Sequence, residues 1–413
     1  TCHIASRRCF CPIGGGLLRR SGGVSQAAMR AEADSLPPLG IYLHWPFCSA
    51  ICPYCDFNVH AAHRNTATQD DWLAAYQAEL AHAHGLRPHG PVRSVFFGGG
   101  TPSLMPGDLV GGILQEIDQL WGLAVDAEIT LEANPVSAAQ VHLQELRHIG
   151  ITRLSLGVQA FDDSVLKSLG RTHSANDALQ AFVAAQDIFD SASFDLIYAR
   201  PDQSLAAWKK ELAAALALAP QHMSLYQLTI EPGTAFYARA QKGRLHVPNE
   251  DAAADLYEVT QSLCAAAGLP AYEVSNHAEP PHRCRHNQAV WQGGDYLGIG
   301  PGAHGRVTIN GTKHASLAMR SPQDWLAACR QNGHGWQLRK LSAAAVAEES
   351  VMLGLRLVEG RSREALVAQG VMLDGARIVA LQKDGLLSPK KDVLQATEKG
   401  RLLLDYIIAR LLT

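Results

Sequence analysis

The feature that most constrains the fold is an alternation. Between Ile41 and Val274, six short β-rich runs (41–44, 92–97, 128–132, 153–156, 193–198 and 223–229) are separated by segments of helical periodicity. In 70–83, Trp72, Leu73, Tyr76 and Leu80 share one helical face before Gly85, and in 137–149, Val141, Leu146 and Ile149 do so before Gly150. Strands joined through helices pair in parallel with right-handed crossovers, so the spacing predicts an α/β fold, a partial (β/α)6 barrel. Residues 98–101, Glu132, Gln159, Asp195 and Thr229 then fall at or just past the C-terminal ends of strands, the rim where such barrels build their chemistry. The cysteines of C-S-A-I-C-P-Y-C-D-F (48–57) follow the first strand onto the same rim.

The chain has 413 residues, 47% of them hydrophobic, and a net charge of -3, which provides no basic field for nucleic acid. Its apolar runs, such as 212–219, are far shorter than the roughly 20 residues of a membrane span, so no integral membrane segment is expected. Nine cysteines, an odd and clustered set, suit a reducing compartment better than a disulfide framework. Residues 1–28 carry Arg7, Arg8, Arg19 and Arg20 with no Asp or Glu. They read either as a transit-like segment, which would place the protein in the mitochondrial matrix, or as residues upstream of a start at Met29 in a cytoplasmic protein. The expected organisation is an N-terminal extension (1–37), a core domain (38–279) and a C-terminal α+β domain (280–413), the last opening on the Gly-rich W-Q-G-G-D-Y-L-G-I-G-P-G-A-H-G. Helix over 376–383, a strand-turn-strand over 386–394 and helix over 398–412 predict a winged-helix-like end, with no basic helix to make it a DNA reader. G-P-G-A-H-G has dinucleotide-loop spacing, but R-V-T-I after it reads as a strand, so that function is set aside.

C-x₃-C-x₂-C offers three thiolates. A zinc site would need His44 or His60 as a fourth ligand. An iron–sulfur cubane would have one iron open unless Cys264, Cys284 or Cys329 closed it. An open iron can chelate the amino and carboxylate groups of S-adenosylmethionine, and an electron from the cluster would then break the sulfonium carbon–sulfur bond to give a deoxyadenosyl radical.

C-x₃-C-x₂-C with Tyr54 before its last cysteine resembles the signature of radical SAM proteins. Y-L-H-W-P-F-C, F-F-G-G-G-T-P-S, L-E-A-N-P, S-L-G-V-Q-A-F, L-G-R-T-H, F-D-L-I-Y and Y-Q-L-T-I-E-P-G-T resemble, in order, the oxygen-independent coproporphyrinogen III oxidase group. The likeness covers about residues 38–413. It implies that Cys48, Cys52 and Cys55 ligate a 4Fe-4S cluster with Tyr42 and Tyr54 near it. It also implies that Gly100, Thr101, Pro102, Glu132, Gln159, Arg171 and Asp195 line an S-adenosylmethionine site. True oxidases of the group, which convert propionates to vinyls, carry a further cysteine two positions on, where this chain has Phe57. C-D-F, with C-R-H-N-Q-A-V-W later, is instead similar to heme chaperones of the HemW type, although Val290 stands where that branch has tyrosine. The expected function is therefore heme binding and delivery to a recipient hemoprotein such as a respiratory enzyme, with an electron donor for the cluster and a homodimer as further partners. The alternative is coproporphyrinogen dehydrogenase. His282, Cys284, His286 and His304 are the candidate heme ligands.

Overall fold

The computed structural model describes residues 38–412, so the readings made on 1–37, including Met29 and the transit-like stretch, lie outside the described residues. All six expected strands form. They are β1 (Leu39–Trp45), β2 (Val92–Gly99), β3 (Leu123–Ala133), β4 (Arg153–Gln159), β5 (Ser191–Tyr198) and β6 (His222–Gln227), each parallel to the next. The register sets Ile41 against Val95, Leu131 against Leu154, and Phe194 against Met223. Ile41, Val95, Leu131, Leu154, Phe194 and Met223 are all fully buried, as a parallel sheet covered by its crossover helices requires.

The first crossover helix, α1 (Gln69–Leu86), starts in a capping box. Thr68 accepts from the backbone N–H of Asp71, and the Asp71 carboxylate accepts from that of Thr68. It buries Trp72, Tyr76 and Leu80 as read from the sequence. The second expected helix begins later, as α2 (Gln140–Ile149). Pro135 opens a 3₁₀ turn (Pro135–Ser137), held by the Asn134 side chain on the N–H of Val136. The buried face is Leu143 and Leu146; Val141, five residues and so about 140° round the helix from Leu146, is exposed, contrary to its expected place on that face.

Past residue 280 the chain returns to the same sheet. The Gly-rich segment forms β8 (Asp295–Ile299), which inserts parallel beside β1 with Leu297 opposite Ile41; the short β7 (Asn276–Ala278) caps the far edge against β6. β9 (His304–Ile309), β10 (Thr312–Ala318) and β11 (Trp336–Lys340) extend it antiparallel. The order is β11-β10-β9-β8-β1-β2-β3-β4-β5-β6-β7, an open sheet of eleven strands. G-P-G-A-H-G runs directly into β9, so no helix N-terminus follows it to hold a phosphate. Glu79 of α1 fastens this extension. Buried at 0% exposure, it accepts from the backbone N–H groups of Gly300 and Gly335 (both 2.8 Å) and from the indole of Trp325 (3.0 Å).

One hydrophobic core spans residues from Leu39 to Trp336, and a second runs from Val351 to Leu411. The second contains the helix Gly375–Lys383, a turn closed by an antiparallel bridge between Leu387 and Ala396, and the helices Glu398–Arg401 and Leu404–Leu412. Among the described residues no helix is long and apolar enough to cross a membrane.

Candidate functional site

The cysteine loop leaves β1 and is pinned at both ends. Phe47 and Cys48 pair in parallel with His60 and Ala61, and Phe47 packs edge-on against Trp45 and Trp72. Inside the loop the N–H of Cys55 bonds the carbonyl of Cys52 (3.1 Å). The Asn58 amide donates to the carbonyls of Pro301 (3.0 Å) and Arg320 (2.9 Å), tying the loop to the β8–β10 extension. Cys48, Cys52 and Cys55 are free, half-buried, and line one cavity of about 460 Å³ at the C-terminal ends of β1 to β6.

The opposite walls are built from the strand ends. β2 runs into Gly99, Gly100 and Thr101; β3 supplies Glu132 next to its last residue, β4 supplies Ser155 and Gln159, and β5 supplies Asp195. Gly100 is a spatial requirement, because a Cβ there would lie 2.6 Å from the Phe47 carbonyl oxygen. Gly99 donates its N–H to Glu132 Oε2 (3.3 Å) from a φ of 110° that side chains rarely adopt. Gln159 closes its strand at φ 72°, and its Oε1 is buried without a hydrogen-bond partner. The Arg171 guanidinium donates to the Gly157 carbonyl (2.7 Å), lies 3.4 Å from the Cys52 sulfur, and has an unpartnered buried Nε. The strained Gln159 backbone and the two unmet polar atoms thus belong to residues that line one cavity, as at a site built for a polar ligand.

Two carboxyls share this space. Burial pushes Glu132 up to about 8, reinforced by the charge of Asp195, and burial pushes Asp195 up to about 6 against the hydroxyls of Ser224 and Ser155. Burial also raises the Cys48 thiol, and raises that of Cys55 to about 11.

Ten of the residues singled out from the sequence line the cavity together: the three cysteines, Tyr54, Gly100, Thr101, Glu132, Gln159, Arg171 and Asp195. Two stand behind its wall. Tyr42 lies a layer deeper on β1, with its hydroxyl 3.0 Å from His44 Nδ1 and its ring under Gly98, and Pro102 is buried at the start of the turn Pro102–Leu104. His44 also engages the Asn58 carbonyl through Nε2 (2.9 Å), so neither of its ring nitrogens is available to a zinc ion. Cys264, Cys284 and Cys329 are buried away from the cavity. Asn134, Tyr226 and Glu231 line it and were not named in advance. Asn134 sits in L-E-A-N-P and Tyr226 at the end of the sixth strand, so the rim rule applied to every strand would have found both.

The candidate heme ligands are not brought together. Cys284 and His286 are sealed at the other end of the sheet, where one oxygen of Glu128 accepts from the N–H groups of Arg285 (2.9 Å) and His286 (3.2 Å) and lies 3.5 Å from the Cys284 sulfur. The His286 ring meets Ser94 Oγ (3.2 Å) and Phe96, and burial lowers it to about 4. His304 is exposed at the start of β9, and His282 is half-buried in the turn Pro280–His282.

A three-cysteine loop on the C-terminal rim of an open, largely parallel α/β sheet defines a radical SAM protein, and residues 42–213 match the Radical SAM superfamily. In sequence, the chain is 40% identical to the heme chaperone HemW of Synechocystis over 79% of each protein. It is 36% identical to the heme chaperone HemW of Escherichia coli over 90% of this chain and 98% of that one. The bovine radical S-adenosyl methionine domain-containing protein 1, named as mitochondrial, is 36% identical over 96% of this chain and 92% of its own. The chain belongs to the HemW family of radical SAM proteins. In structure it resembles the coproporphyrinogen III oxidase HemN of Escherichia coli (TM-score 0.76, 23% identity, 94% and 93% of the two chains), a likeness of fold.

Proposed function

We propose that this protein is a heme chaperone that holds a 4Fe-4S cluster on Cys48, Cys52 and Cys55, binds S-adenosylmethionine in the adjoining cavity, and passes heme to a recipient hemoprotein. The observation that carries the reading is the cavity itself: three thiols, and among the described residues no fourth, line it together with the polar side chains of Glu132, Gln159, Arg171 and Asp195. When bound, the cluster supplies one electron and an iron able to chelate an amino acid. The chain's own residues do the rest. Gly99 and Gly100 let the end of β2 close onto His44 and Phe47, the Arg171 guanidinium beside Cys52 pairs with a carboxylate, and Glu132 and Asp195 accept from ribose hydroxyls or an ammonium.

The raised carboxyls give this binding a pH dependence. Both are neutral at acid pH and gain charge as pH rises through about 6 for Asp195 and about 8 for Glu132. S-adenosylmethionine is cationic at its sulfonium and ammonium, so its affinity is expected to increase across that window, and Glu132→Gln to flatten the upper part. Calorimetric titration at several pH values checks this; an affinity independent of pH would remove both carboxyls from the site.

The alternative, coproporphyrinogen dehydrogenase, is weakened by Phe57. It is 65% exposed at the cavity mouth, where oxidases of the group carry cysteine. One sample, reconstituted anaerobically with iron and sulfide, tests both readings through heme titration, 5′-deoxyadenosine release and conversion of coproporphyrinogen III. Heme uptake without vinyl product is expected, and vinyl formation would overturn the chaperone reading.

A further inference from the structure

A second cavity, of about 350 Å³, lies between the helix Arg285–Trp291 and the C-terminal segment around residue 360. Tyr272, Arg283, Gln288, Gln292, Glu359 and Arg361 are among its lining residues. Two guanidinium groups reach it, and their situations differ. Arg283 donates to the Glu359 carboxylate at 2.6 Å and lies over the Tyr272 ring, while its Nε is buried and unpartnered. Glu359 is 71% exposed, so this ion pair is a weak one that a competing anion can replace. Among the described residues Arg361 has no carboxylate partner, and its side chain makes a long contact to Gln369 (3.5 Å). Its stem is clamped against Gly354 of the helix Ala343–Arg356, where any Cβ would lie 2.5 Å from Arg361 Cγ. A half-buried guanidinium held in a fixed place without a counter-charge is costly unless an anion arrives.

We propose that this cavity is a carboxylate-binding site in which Arg361 and Arg283 receive the propionates of heme, Glu359 yielding its place on Arg283 to the ligand. The assignment rests on the heme reading and locates it. Of the four candidate heme ligands, His286 and Cys284 are sealed under the sheet and His304 heads β9, whereas His282 is half-buried and immediately precedes Arg283 in the chain.

The test compares titration of the full-length, cluster-loaded protein with hemin and with hemin dimethyl ester, which lacks the carboxylates. Wild type is expected to bind hemin at least about tenfold more tightly than the ester, the scale of one charge-assisted contact. Arg361→Gln should erase that preference, Arg361→Lys should restore part of it, and Glu359→Gln, which removes the competing carboxylate on an exposed side chain, should tighten hemin binding. Equal affinity of wild type for hemin and ester, or hemin binding unaltered in both Arg361→Gln and Glu359→Gln, overturns the site and leaves the chaperone reading standing. No hemin uptake by wild type overturns the chaperone reading and this assignment with it.

Discussion

Replacing Cys48, Cys52 or Cys55 with serine is expected to leave the reconstituted protein with essentially no bound iron and none of the visible absorbance of an iron–sulfur cluster. Cys264→Ala, Cys284→Ala and Cys329→Ala should retain the full complement, because those thiols are buried away from the cavity the three share. Iron and sulfide analysis with absorbance spectra decides the matter, and loss of iron in any of the three remote variants would mean a distant cysteine closes the cluster. Burial holds the Cys48 and Cys55 thiols above their ordinary range, so ligation must displace protons. Cluster assembly is therefore expected to weaken as pH falls.

The second large effect belongs to Glu79→Ala, which should lower unfolding stability by about 3–5 kcal/mol, since it strands two backbone N–H groups and an indole N–H inside the protein. Chemical denaturation measures it, and a loss under about 1 kcal/mol would show that those donors find other partners. Burial raises this carboxyl to about 7 despite three donated bonds. A group whose folded value exceeds its unfolded one stabilises fully below the unfolded value and loses that contribution as pH rises through the folded one. The wild-type fold should thus weaken between the ordinary glutamate range and about pH 7, and Glu79→Gln should remove that slope.

The six parallel strands were legible because each is a short apolar run between helical stretches, and a strand buried on both faces can be written in few other ways. The rim residues followed from them without further information. The placement of β8 did not, because D-Y-L-G-I is flanked by glycines and has a single β-branched residue, and its partner lies some 250 positions earlier in the chain. Pairing over that distance leaves no local periodicity to read. The same limit explains the histidines. His286 looked available in C-R-H-N-Q-A-V-W, but Glu128, remote in sequence, caps its helix and turns it inward against Ser94. Val141 failed for a local reason, since five residues of helix set it about 140° from Leu146 and off the face that Leu143 and Leu146 bury.

The position of β1 bears on how the chain is made. It lies between β2 and β8, so β1, the first strand among the described residues, keeps one edge unpaired until residues 295–299 have been synthesised. At roughly 5–20 residues per second that wait is on the order of tens of seconds. Through it, the nascent chain carries an open strand edge on a sheet that still lacks β8 to β11, which is where unwanted pairing with another nascent chain begins. Rare codons between β6 and β8 should therefore lower soluble yield more than the same codons placed after β11.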